Sequence, residues 1–177
     1  MGISEKFLKE VKSSAKFLLG KIICRKIGKK ILRAKIVETE AYFDDEDPAS
    51  RACQNGDLKK TMEMKAGTIL VYGVHNNWLL NIVTGKEGKA EAVLIRAVEP
   101  LNFEAKTNGP GLLTKALKID KSFHKKNIFN CNYLWIEDCN EKFEVCESFR
   151  IGIKKDLPEK LRFYIKENKF VSKTYIY

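Results

Sequence analysis

Three side chains at alternate positions, Glu38, Glu40 and Tyr42, close a run that otherwise reads as an apolar strand. Alternate residues of an extended chain share a face. Two carboxylates and a phenol therefore emerge on the face that Leu32, Ala34 and Ile36 bury. A strand that leaves the core in this way forms the wall of a pocket, and a carboxylate there is a candidate general base. Asn81 and Arg96 interrupt two further apolar strands, on the faces of Leu79 and Val83 and of Leu94 and Val98. A buried Asn or Arg must find partners or carry a large desolvation cost. The Gly109-Pro110-Gly111 turn precedes a helix, whose first amides can bind phosphate. Each feature alone has an ordinary reading: salt-bridged surface carboxylates, a neutralising arginine, a core asparagine, a plain loop, a core tyrosine at Tyr72. Together they describe one site suited to hydrolysis beside a planar ring, with a carboxylate, an arginine to orient it or a water, and aromatic faces.

Periodicity supplies the elements that must position these groups. Phe7, Leu8, Val11, Ala15, Leu18 and Leu19 recur at helical spacing behind Ser4, a potential cap, and Gly20 stops the pattern. Strands are expected over 21–27 and 30–42, joined by a tight turn at Gly28-Lys29. Others are expected over 68–72, 78–83 and 91–98, with a hairpin at 85–88. Trp78 opens an apolar strand and is expected in the core. A helix over 112–117 and strands over 133–136, 144–153 and 161–165 complete an α+β chain dominated by β-structure. At 177 residues it is read as one domain, 1–177, large enough to bury its own core.

Composition points to a polyanionic partner. The chain carries 33 Lys+Arg against 23 Asp+Glu, a formal net charge of +10, which favours nucleic acid over an anionic membrane surface. Residues 1–35 hold 11 basic and 2 acidic side chains, whereas residues 36–50 hold 6 acidic and no basic ones. An acidic island in a phosphate-binding protein is either a solvated loop or a catalytic carboxylate. The 5 cysteines form no CxxC pair and only 2 histidines are present, so free thiols in a reducing, cytoplasmic compartment are expected and zinc is not. No apolar run is long enough to span a membrane.

The run Val37-Glu38-Thr39-Glu40-Ala41-Tyr42 resembles the signature of the alkyladenine (3-methyladenine) DNA glycosylases. Asp47-Pro48-Ala49-Ser50, Lys65-Ala66-Gly67-Thr68 and the stretch Ala92 to Pro100 continue the likeness. Asn108-Gly109-Pro110-Gly111-Leu112, Arg150-Ile151-Gly152-Ile153 and Leu161-Arg162-Phe163-Tyr164 follow in the family order. The resemblance implies a curved, mainly antiparallel sheet with flanking helices. It implies a monomeric, cofactor-free and metal-free enzyme that flips a damaged purine from double-stranded DNA and hydrolyses its N-glycosidic bond. Carried over, Glu40 is the general base and Arg96 helps hold the attacking water, with a main-chain carbonyl near Ile151. Tyr42 and Tyr72 wall the flipped base, and Asn81 crowds the purine 2-position. Gly109 and Gly111 contact DNA phosphate. No lysine nucleophile is implied, so the activity is monofunctional.

Three departures from the family pattern stand out. Arg51 occupies the position of a usual histidine facing the base. The tyrosine wedge has no clear match in the 72–78 loop, where His75 is the candidate at the tip and Val74 the apolar alternative. Leu112 replaces a usual lysine, and the 53–61 loop is short. Two rival readings remain at this level: a metal-dependent nuclease using Glu38, Glu40 and the 44–47 carboxylates, and a non-catalytic nucleic-acid-binding module.

Overall fold

The computed structural model describes residues 2–173. Its helices are α1 (Val11–Leu18), α2 (Asp57–Met62) and α3 (Pro110–Ala116). The strands are β1 (Ile22–Ile27), β2 (Lys30–Tyr42), β3 (Ile69–Val74), β4 (Asn77–Val83), β5 (Ala92–Pro100), β6 (Leu134–Glu137), β7 (Val145–Ser148) and β8 (Arg162–Ile165). All pair antiparallel in one sheet of order β3-β4-β5-β2-β1-β6, with β7-β8 joined to β2.

β2 is the spine. Along one edge it pairs with β5 from Ala34 to Tyr42. Along the other, its first half pairs with β1 and its second half with β8. A strand with two successive partners on one edge forces the sheet to curl, and register irregularities flank Glu38 where the partner changes. Burial follows. From Leu32 to Ile36 alternate residues are buried, but from Ile36 to Ala41 both faces are closed. Val11, Ala15 and Leu18 of α1 join the main core on one side, and Thr39 Oγ1 donates to the Ala15 carbonyl at 2.9 Å. On the other side Met62, Leu70, Val83 and Ala92 form a second cluster beneath the site.

Three expectations change. The first helix is split. A 3-10 turn, Glu5–Phe7, is followed by a break at Leu8, and Ser4 makes no side-chain cap. Instead the Glu10 carboxylate accepts from the Lys12 and Ser13 amides and caps α1. An anionic cap complements the helix dipole better than a serine does. Gly20, at φ +76, then turns the chain so that its amide donates to the Ile36 carbonyl at 2.8 Å. The strand expected over 144–153 ends at Ser148, because Arg150 turns inward to a buried carboxylate. Trp78 is 37% exposed rather than core. It pairs with Gly73 near the hairpin end, beyond the reach of the apolar layer.

The 5 cysteines are free. Burial, with Glu137 nearby, pushes the Cys24 thiol up to about 12, which makes it an inert packing group.

Candidate active site

Strand register assembles the site. Leu70 of β3 faces Asn81 of β4, Asn81 faces Leu94 of β5, and Leu94 faces Glu40 of β2. These four side chains form one cross-strand row on the face opposite α1. The neighbouring row brings Tyr42 beside Ala92 and Val83, and Tyr72 lies two residues along β3 from Leu70. Sequence positions 38 to 96 thus converge because the strands are antiparallel and adjacent, with neighbours ~4.8 Å apart.

Glu40 has no solvent exposure. Its Oε2 accepts from the Tyr42 hydroxyl at 2.9 Å, and its Oε1 accepts from the Ile151 amide at 2.8 Å. Arg96 Nη1 lies 3.3 Å from the Glu40 carboxylate. An ionised carboxylate offers about four acceptor sites. Three donors hold Glu40 and leave one site for a water, which is the requirement for a general base. Main-chain help near Ile151 was expected from a carbonyl on the water; what the geometry provides is the Ile151 amide on Glu40 itself.

Glu38 is wired differently. Arg162 Nε donates to its Oε1 at 2.6 Å, while the Ser172 amide and hydroxyl donate to its Oε2 at 2.7 and 2.5 Å. Arg96 Nε lies 3.2 Å from Glu38 Oε1 but out of line for a hydrogen bond. Glu38 is thus a buried clamp on the segment after β8. Arg96 sits between the two carboxylates as their shared countercharge.

Burial pushes the Glu40 carboxyl above its ordinary value of 4.5; Arg96, the Ile151 amide and Tyr42 pull it partly back, and Glu38 adds to the rise. Burial and then the Glu40 charge raise Tyr42 well above 10.0, so it stays a neutral donor. The folded state therefore holds the Glu40 proton more tightly than the unfolded chain does. This group's contribution to stability is full below 4.5 and is lost as pH rises through the raised value. Catalysis by this carboxylate would have the opposite slope. Activity is expected to rise across the window in which this one group's share of the stability falls, as measured by single-turnover rates over pH and by melting curves of wild type against Glu40→Gln. An acid limb at or below 4.5 would contradict this.

Two residues missing from the sequence-based site hold it in shape. Arg150 and Asp47 have fully buried side chains and pair through both nitrogens and both oxygens at 2.6 and 2.8 Å. Arg150 Nη1 also donates to the Ala41 carbonyl at 2.9 Å, and its guanidinium lies 4.5 Å from the Tyr42 ring centre. Asp47 further accepts from the Phe43 and Ala49 amides. Burial works against the Arg150 charge, yet Asp47 and Asp156 hold its pKa above the ordinary value. This pair locks the 44–52 loop to the 149–152 turn that presents the Ile151 amide. The motifs around both residues were visible in the sequence, but their pairing across 103 positions was not.

Other expected residues fall into place around this centre. Tyr42, Tyr72, Asn81 and Arg51 surround a narrow cleft floored by Met62 and Leu70. Asn81 Nδ2 donates to the Leu70 carbonyl at 3.3 Å. His75 and Asn76, at φ 47 and 61, form the two-residue turn between β3 and β4; paired left-handed residues are the tight hairpin geometry, and they leave His75 exposed at the tip. Gly111 lies against that hairpin: a Cβ there would meet the Asn77 Cβ at 2.7 Å. Glycine is needed for this packing, whatever else the turn contacts. Leu112 is 41% exposed beside it. For the nuclease reading, among the described residues no three His, Cys, Asp or Glu side chains are grouped to hold a metal ion. Arginine also occupies the space between Glu38 and Glu40, where a cation would have to sit.

The family model for methylpurine-DNA glycosylase matches residues 5–169. The chain belongs to the methylpurine-DNA glycosylase family. Among curated relatives, a Borrelia garinii protein is 38% identical, covering 94% of this chain and 97% of its own length. An Aeropyrum pernix protein is 41% identical over 90% and 86%, and one from Clostridium tetani 39% over 98% and 100%. All three are named 3-methyladenine DNA glycosylases. In this methylpurine-DNA glycosylase family member no helix among the described residues is long and apolar enough to cross a membrane.

Proposed function

We propose that the protein is a monofunctional DNA glycosylase that removes alkylated or deaminated purines from duplex DNA. A single observation carries the reading: buried Glu40, held by three donors with one acceptor site left, stands on the same cross-strand row as Asn81 and beside the Tyr42–Tyr72 cleft. A base within the stack cannot reach that row, so the damaged nucleotide must be extruded. Tyr42 and Tyr72 would sandwich the purine, and an alkylated, cationic ring gains from their faces. Glu40 would take a proton from water as it attacks the sugar C1′, while the C1′–N bond breaks with its electron pair leaving on the purine. A cationic alkylated base departs neutral, a deaminated one departs as an anion that is protonated by solvent, and the Glu40 charge would stabilise the oxocarbenium-like transition state. Arg96 keeps the two carboxylates from repelling each other and can hold the water. The 108–111 turn, with the Gly109 and Gly111 amides, would contact a phosphate. No cofactor or metal enters the scheme, and the basic surface would guide a single copy to DNA. The test is incubation with methylated duplex DNA. Free 3-methyladenine and alkali-labile sites are expected, undiminished by EDTA and with no strand break before alkali. Absence of base release at any enzyme level would leave the binding-module reading.

In this scheme His75 fills the gap left by the extruded base, offsetting part of the few kcal/mol of unstacking. His75→Ala is expected to weaken damaged-duplex binding and slow excision about tenfold, or ~1.4 kcal/mol, with less effect on a mismatched lesion. A 2-aminopurine reporter beside the lesion would follow flipping. Loss in Val74→Ala but not in His75→Ala would transfer the role to Val74.

A further inference from the structure

The cleft between Tyr42 and Tyr72 is nearly closed. Its open volume is about 10 Å3, room for roughly one water molecule and far too little for a purine. Arg51 is the one long, cationic side chain lining it, and its guanidinium lies 5.1 Å from the centre of the Tyr72 ring. A guanidinium is flat, cationic and weakly hydrated, and it stacks on aromatic faces. Those are also the attributes of an alkylated purine. Tyr72 itself, through its ring and its hydroxyl, is what Arg51 interacts with. Among the described residues no carboxylate lies within ion-pair range of Arg51, because Asp47, the nearest acid upstream, is committed to Arg150. The backbone of Arg51 is fixed in the 3-10 turn Arg51–Cys53, where the Ser50 hydroxyl accepts from the Ala52 amide. The long side chain is therefore the part able to leave.

We propose that Arg51 is a built-in occupant of the base slot, a guanidinium that takes the Tyr72 face until a flipped base displaces it. The inference deepens the glycosylase reading and rests on it for the identity of the displacing group. Its consequence is discrimination by competition. Apparent affinity for any base is reduced by the fraction of protein in which the slot is closed. An undamaged base, held in the duplex by pairing, pays this on top of its own extrusion. A damaged base, more weakly paired and better at stacking on Tyr72, overcomes both. Once the glycosidic bond is cleaved, return of Arg51 favours departure of the free base.

The test separates occupancy from simple charge repulsion. Wild type, Arg51→Ala and Arg51→Lys are titrated calorimetrically with hypoxanthine, a neutral purine, and with 7-methylguanosine, a cationic nucleoside. Base release from methylated duplex is measured in parallel. Arg51 has no ion-pair partner to orphan, so truncation leaves no buried charge behind. Arg51→Ala is expected to bind both ligands about tenfold more tightly or better. Arg51→Lys, charged but not planar, should fall between Ala and wild type for both. Unchanged or weaker binding of hypoxanthine in Arg51→Ala overturns the proposal, since Arg51 would then hold the base rather than exclude it. A gain for the cation alone also overturns it, as electrostatics would suffice. Failure of the glycosylase reading looks different: wild type would release no base from DNA, whatever the ligand titrations give.

Discussion

Glu40→Gln is expected to lower single-turnover base release by about 10²–10⁴-fold, the usual worth of a positioned general base, while damaged-duplex binding persists. The amide can still accept from Ile151, so the turn at 150–152 should keep its place. What would be lost is the basic oxygen and the negative charge that the proposed mechanism sets against the sugar. Glu38→Gln separates chemistry from architecture. Both Glu38 oxygens are committed to Arg162 and Ser172, so its replacement should lower thermal stability first and activity only through loss of folded protein. An active Glu40→Gln enzyme alongside a folded but inactive Glu38→Gln one would reverse the assignment.

Arg150→Met is expected to cost about 3–5 kcal/mol of stability, the usual penalty for removing one partner of a buried pair. Asp47 would remain fully buried with its charge uncompensated. The Ala41 carbonyl would lose its donor, and the Ile151 amide would lose the anchor that holds it against Glu40. Activity should therefore fall even at temperatures where the variant is folded. Replacing both residues, as Asp47→Leu with Arg150→Met, removes the stranded charge, so stability should recover in part while activity does not. A double variant no more stable than the single one would mean that the pair stabilises through its geometry rather than through mutual neutralisation. Chemical denaturation of wild type and the two variants measures this directly.

The site is most legible in the sequence where one strand carries the information. In β2 the alternation of Leu32, Ala34, Ile36, Glu38, Glu40 and Tyr42 already located a pocket wall, since the period of two holds regardless of what lies next to it. Asn81 and Arg96 were legible for the same reason, as polar residues on apolar faces. Glu38 and Glu40 are told apart in the sequence only by the family register. They share a face, and apart from the Tyr42 hydroxyl on Glu40 the partners that set them apart, Ile151, Arg162 and Ser172, lie more than 100 positions away. Arg150 was hidden similarly, because an arginine two positions before a glycine looks like any charged turn until Asp47 is placed beside it. Trp78 misled because hydrophobicity says that a side chain can be buried, not that an apolar layer extends far enough to bury it. The first helix misled because the periodicity of Phe7 and Leu8 with Val11 survives a break in the backbone, and the break was decided by Glu10 as a cap.

The wiring of β2 has a consequence for how this protein comes into being. The carboxylate that would do the chemistry is completed by Arg96, 56 positions away, and by Ile151, 111 positions away; its neighbour Glu38 needs Arg162 and Ser172, at separations of 124 and 134. Contacts this distant form late, because the entropy of closing long loops is spent before they reward it. A nascent or partly refolded chain can pair β1 with β2 and expose its basic surface to DNA long before Glu40 has its donors. Such intermediates would cling to the double helix without cutting any glycosidic bond, so competence arrives only when the last strand docks.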